Sequence, residues 1–136
     1  PFPTELFFFF VETMRQIGAE FGATTGRPRR CGWFDAAAMR RAVQISGVRD
    51  LVITKMDVLD QFETLKICTA YKYKGKTVDI FPFGIEDSGE IEPVYETLAG
   101  WKTPTTGAAS FDELPQAARD YLARIEEIIG NSYCDV

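Results

Sequence analysis

Residues 35–54 constrain the fold most, because they combine a capped helix with a run suited to a buried strand. Asp35 is a typical helix N-cap, the alanine-rich stretch 36–45 favours a helix, and Gly47 is the residue type that commonly ends one. The β-branched run at 51–54 has the composition of a buried parallel strand. The sequence therefore predicts an α/β fold with helices flanking a mixed or parallel sheet.

A β-hairpin is expected in the middle of the chain. Residues 65–73 alternate as a strand does, a Lys-Gly-Lys turn comes next at 74–76, and residues 77–81 suit the returning strand. Residues 93–98 predict one more short strand, after an acidic loop at 86–92.

Helices are expected near both ends of the chain. The first lies within residues 11–21, and the last covers 114–129, with Asp112 as its cap and Gly130 at its end. The apolar stripe of the last helix consists of Ala118, Tyr121, Leu122, Ile125 and Ile128 or Ile129. Residues 133–136 have the composition of the start of a strand. Without a repeat or a linker, residues 1–136 form one domain.

Composition excludes several classes of function. The net charge of −5 argues against nucleic acid as a partner, and no apolar run is long enough to span a membrane. The chain has no histidine and three widely spaced cysteines, so neither a metal site nor a disulfide framework is expected, and the cytoplasm is the default location. Four consecutive phenylalanines at 7–10 should be buried, contact another part of a larger protein, or be an artefact.

A basic island at residues 22–30 stands out in this acidic chain. It contains two glycines, two threonines and three arginines, and no acid occurs between Glu20 and Asp35. Arginine binds carboxylate or phosphate through two donors, and glycine lets backbone N–H groups approach a ligand. The island therefore suits a small anionic substrate. The alternative is a solvated loop whose arginines pair with distant acids.

A second signal, Thr-Lys-Met-Asp at residues 54–57, comes directly after the predicted strand. An aspartate there can accept both N1–H and the exocyclic amine of guanine, which adenine cannot match. Ligands of open α/β sheets bind at the carboxyl ends of strands, which agrees with this position. The alternative is an ordinary loop in which Asp57 or Asp60 caps the next element of the chain.

Taken together, these motifs resemble the C-terminal third of the adenylosuccinate synthetase family. The most specific block is Gly-Ala-Thr-Thr-Gly-Arg-Pro-Arg-Arg, within residues 18–33. The other blocks are residues 1–6, 40–44, 54–60, 93–96, 100–101, 114–118 and 125–127.

The resemblance implies a P-loop-type GTP-binding fold and a cytoplasmic, homodimeric ligase that joins IMP to L-aspartate with GTP and Mg²⁺. It implies that aspartate and IMP are bound by Ala23, Thr24, Thr25, Gly26, Arg27 and Arg29. It also implies that GTP is bound by Arg29, Lys55, Met56 and Asp57; a role for Arg30 is less defined.

The sequence departs from the family pattern in its lack of the phosphate loop, the catalytic aspartate and histidine, and the magnesium ligands. We therefore expect a fragment that is inactive alone and leaves core surface open. One alternative is a non-catalytic module that binds guanine nucleotides or dicarboxylates. Another is an interaction fragment that associates through its phenylalanine run.

Overall fold

A computed structural model describes residues 2–82 and 90–130. Its helices and strands, in chain order, are α1 (Phe9–Ile17), β1 (Phe34–Asp35), α2 (Ala36–Ser46), β2 (Thr64–Tyr73), β3 (Lys76–Val78), β4 (Ile91–Ala99) and α3 (Gln116–Ile129). Two 3₁₀ turns cover Met56–Leu59 and Phe111–Glu113. The predicted strand start at 133–136 and most of the predicted acidic loop at 86–92 lie outside the described residues.

The sheet is mixed and is built around β2, which confirms the predicted α/β class. Strand β4 runs antiparallel to β2 over its whole length, from the pair Thr64 and Ala99 to the pair Tyr73 and Ile91. On the other edge, β3 returns antiparallel from the predicted hairpin turn, and β1 pairs in parallel at Ile67.

The predicted strand at 51–54 was wrong. These residues are extended but pair with no strand in the described part of the chain. Leu51 and Ile53 pack against the core, whereas Val52 is 69% exposed. Leu51 and Ile53 are therefore partly buried without the hydrogen bonds of a β-sheet. The parallel strand is instead Phe34–Asp35, which precedes α2, because β2 provides hydrogen-bonding partners there.

Local chemistry fixes both ends of α2 and the C-terminal end of α3. The Asp35 carboxylate accepts from the Ala38 N–H at 2.9 Å, and Gly47 ends α2 in the left-handed region at φ 63°. Gly130 ends α3 in the same way, at φ 76°. Asp112 was wrongly predicted as a cap: it lies in a separate 3₁₀ turn, and α3 begins after Pro115.

The main core lies between β2 and the helices α2 and α3. Leu65 and Ile67 of β2 are fully buried there, and the predicted stripe of α3 is buried with them through Ala118, Tyr121, Leu122, Ile125 and Ile129. A smaller cluster forms around Cys68 and Tyr71 on the opposite face of β2.

The phenylalanine run is not buried within this chain. Helix α1 begins at Phe9, two residues earlier than predicted, and ends at Ile17. Phe7, Phe8 and Phe9 are 61%, 92% and 78% exposed. Phe10 reaches the core edge, where its ring stacks on Phe62 at 6.0 Å between centroids.

Candidate functional site

The basic island forms a tight, exposed loop. An antiparallel bridge between Phe21 and Pro28 closes it. Inside, the Gly22 N–H donates to the Arg27 carbonyl at 2.8 Å, and the Gly26 N–H donates to the Gly22 carbonyl at 2.8 Å. Gly26 has φ +64°, a conformation that glycine adopts without strain. Ala23, Thr24 and Thr25 are exposed in the turn, and the Thr25 hydroxyl accepts from the Arg27 N–H at 3.4 Å.

The three arginines of the loop differ in their partners. Arg29 forms a salt bridge with Glu20 at 3.0 Å, and Arg30 binds the Glu5 carboxylate through two donors at 2.6 and 2.5 Å. The hydrogen bond from Arg30 lowers the pKa of Glu5. Within residues 2–82 and 90–130, Arg27 forms no salt bridge. The alternative interpretation, in which the arginines of the loop pair with acids, therefore holds for Arg29 and Arg30. Arg27 stays available to an external anion.

Glu20 links the basic loop to the second motif. Its carboxylate contacts the Lys55 ammonium group as well as Arg29, and the Lys55 Nζ also donates to the Gly18 carbonyl at 2.8 Å. Hydrogen bonds to the Glu20 carboxylate lower its pKa, and the bond from Lys55 contributes more than the bond from Arg29. Glu20 was not predicted from the sequence as a site residue. Its one signal was its position as the last acid before the basic island.

A cavity of about 350 Å³ lies where these two segments meet. Its polar and charged lining residues include Glu20, Arg29, Arg30, Thr54 and Lys55. Its apolar lining includes Met14, Trp33, Ile53, Val58, Tyr121 and Ile125. This size and mixture of charge and apolar wall suit part of a nucleotide or another small anion.

Asp57 lines a different cleft from Lys55. Asp57 is exposed and borders a space of about 430 Å³, with Lys102, Thr103 and Pro104 on the facing loop. Met56 is 5% exposed and belongs to the core, so its side chain supports the turn from inside. Arg29 and Lys55 therefore line the same cavity, whereas residues 23–27 line neither that cavity nor the cleft beside Asp57.

Among the residues that the structure describes, no cluster of three or more histidine, cysteine, aspartate or glutamate side chains could hold a metal ion. No helix in the same parts of the chain is long and apolar enough to cross a membrane. Burial raises the pKa of the Cys31 thiol, which also lines the 350 Å³ cavity.

Comparison with known proteins gives one consistent result. The family model described as adenylosuccinate synthetase matches residues 1–134. Adenylosuccinate synthetases from Nitrosomonas eutropha and Trichlorobacter lovleyi are 58% and 52% identical over 130 residues, which are 94% and 96% of this chain. The chain spans about 30% of the length of these relatives.

A solved structure supports the same similarity at the level of the fold. The fully ligated adenylosuccinate synthetase from Plasmodium falciparum is 36% identical and superposes with a TM-score of 0.88. The match covers 96% of this chain and 32% of that structure.

Proposed function

Because this chain belongs to the adenylosuccinate synthetase family, we propose that it supplies part of the substrate site of a GTP-dependent ligase. The proposed reaction transfers the γ-phosphoryl group of GTP to the 6-oxygen of IMP. The amine of L-aspartate then displaces phosphate to give adenylosuccinate. The proposal includes a P-loop-type GTP-binding fold, a homodimer and a cytoplasmic location for the complete enzyme.

The observation that carries this proposal is the unequal pairing of the arginines in the basic loop. Glu20 and Glu5 neutralise Arg29 and Arg30, whereas Arg27 has no carboxylate partner among the described residues. A planar guanidinium without a partner is suited to bind a substrate carboxylate through two hydrogen bonds. We assign the carboxylates of L-aspartate to Arg27, with donors from Thr24, Thr25 and the backbone of Ala23. Gly26 shapes the loop around the ligand, because its own N–H is donated to the Gly22 carbonyl.

GTP is assigned to the second group of residues. Arg29 and Lys55 line the same cavity and share the single carboxylate of Glu20. The two cations therefore keep a net positive charge that can attract phosphate or ribose oxygens. Asp57 is the acceptor for the guanine edge. Met56 acts through its buried side chain, which holds the turn that carries Asp57.

The residues described here position substrates and neutralise charge, which lowers the barrier of a phosphoryl transfer without a protein nucleophile. Mg²⁺ would neutralise phosphate charge in the complete enzyme. The described residues contain no suitable ligand cluster, so its ligands are not assigned to them. The chain has no histidine, so a histidine acid or base must come from elsewhere.

Turnover by the 136-residue chain alone is the direct test. With IMP, L-aspartate, GTP and Mg²⁺, we expect no adenylosuccinate by chromatography. Adenylosuccinate formation by the isolated chain would contradict the proposed inactivity. A second candidate is a non-catalytic guanine-nucleotide or dicarboxylate module, which would use the same cavity beside Arg29 and Lys55 without turnover. That candidate requires saturable GTP binding by the isolated chain, not matched by ATP, and an isolated chain that does not bind GTP contradicts it.

Arg27→Leu, in the complete enzyme that carries this sequence, is expected to raise the KM for L-aspartate about 5- to 150-fold. The reason is the loss of one charge-assisted pair, worth roughly 1–3 kcal/mol. Steady-state kinetics should show a much smaller change in the KM for GTP. Arg41→Leu, which removes an exposed arginine on α2, is the matched control. An equal rise for both substrates after Arg27→Leu would refute the assignment.

A further inference from the structure

The Asp60 carboxylate is the acceptor for three donors from the loop after β4. Its Oδ1 accepts from the Trp101 Nε1–H at 2.6 Å and from the Thr105 hydroxyl at 2.8 Å. Its Oδ2 accepts from the Thr105 backbone N–H at 2.9 Å. Trp101 and Thr105 are 7% and 9% exposed, so these bonds are sheltered from water and depend on a correctly placed carboxylate.

Asp60 also ends the short turn that presents Asp57. The Asp60 N–H donates to the Asp57 carbonyl at 3.2 Å, and the turn itself is only the four residues Met56–Leu59. A single 3₁₀ turn has little stability of its own, so its geometry depends on the contacts that hold its ends. At the first end, Lys55 is tied to the Gly18 carbonyl, and Met56 is packed in the core. At the other end, Asp60 performs this role.

The loop joined to Asp60 is fixed at its own beginning. The Gly100 N–H donates to the Glu63 carbonyl at 2.8 Å. A Cβ atom at Gly100 would lie 1.8 Å from the Phe62 carbonyl oxygen, so the two backbones approach as closely as glycine permits. Lys102, Thr103 and Pro104 follow this anchored start and line the cleft that Asp57 also borders.

We propose that Asp60 is a positioning residue that sets the guanine specificity of Asp57. It does so by holding the Asp57 turn and the residue 100–105 loop as one unit. This inference rests on the proposed guanine role of Asp57. Asp60 itself has its carboxylate oxygens committed to Trp101 and Thr105, so it acts through the turn rather than by contact with the base.

The test compares the binding of GTP and ITP, because inosine lacks the exocyclic amine that guanine offers to a carboxylate. In the complete enzyme, Asp60→Asn keeps the side-chain shape but turns an amide N–H₂ towards one of the three donors. We expect the ratio of the Kd for ITP to the Kd for GTP to fall about fivefold. A simple loss of folded protein lowers both affinities together and leaves this ratio unchanged.

Thr105→Val, which removes only the hydroxyl donor, should lower the ratio in the same direction by less. Asp112→Asn, the same chemical change in the other 3₁₀ turn, is the control and should leave the ratio unchanged. If the ratio falls strongly in Asp57→Asn but is unchanged in Asp60→Asn, the proposed role of Asp60 is refuted and the guanine role of Asp57 stands. A wild-type enzyme that binds GTP and ITP equally overturns the guanine role of Asp57, and the inference with it.

Discussion

Replacing Asp57 with asparagine is expected to weaken GTP binding about 100-fold and to improve binding of xanthosine triphosphate. A carboxylate accepts from both N1–H and the exocyclic amine of guanine, whereas an amide offers one acceptor and a donor group. Losing one charge-assisted bond and setting two donors against each other costs roughly 3 kcal/mol, which is about 100-fold in affinity. Xanthine carries an oxygen in place of the amine, so the same amide matches it.

Competition titrations of the complete enzyme with both nucleotides would measure this exchange. Because Asp57 is exposed, we expect the folded protein to tolerate the change with little loss of stability. Asp112→Asn provides a control for the loss of one negative charge in a similar turn. If Asp57→Asn binds GTP as the wild type does, Asp57 is not the guanine acceptor.

Asp35→Ala is expected to reduce the free energy of unfolding by about 2–4 kcal/mol. Asp35 accepts from the Ala38 N–H at the start of α2, and loss of such a cap costs about 1 kcal/mol. The Tyr71 hydroxyl donates to the same carboxylate, with its oxygen 2.8 and 2.7 Å from Oδ1 and Oδ2. Tyr71 is fully buried, so without Asp35 its hydroxyl loses its partner at a further cost of about 1–3 kcal/mol.

Urea denaturation of wild type, Asp35→Ala, Tyr71→Phe and the double variant would separate these two contributions. Because Tyr71→Phe removes the hydroxyl that needs a partner, the double variant should be less destabilised than the sum of the single variants. Asp112→Ala is the control, since the structure gives Asp112 no capping role, and it should change stability by less than about 0.5 kcal/mol. An Asp35→Ala protein as stable as Asp112→Ala would contradict this account.

The sequence indicates residues of the candidate site only as separate pieces, and their binding roles stay predictions. The residue types at 22–30 and at 54–57 indicate anion and guanine binding because their donors and acceptors match those ligands. The sequence does not indicate that Glu20 bridges Arg29 and Lys55, since Glu20 and Lys55 are 35 residues apart along the chain. Nor does it indicate that Lys55 and Asp57 line different spaces.

Features whose interactions are local were predictable from the residues alone. The Asp35 cap, the glycine ends of α2 and α3, and the hairpin between β2 and β3 each depend on residues within a few positions of one another. Features that depend on a distant partner are visible only in the folded chain. Residues 51–54 have strand composition but find no partner in the described part of the chain, whereas Phe34–Asp35 becomes a strand because β2 lies beside it. The physical reason is that a strand requires hydrogen-bonding groups from another segment, whereas caps and turns take theirs from nearby residues.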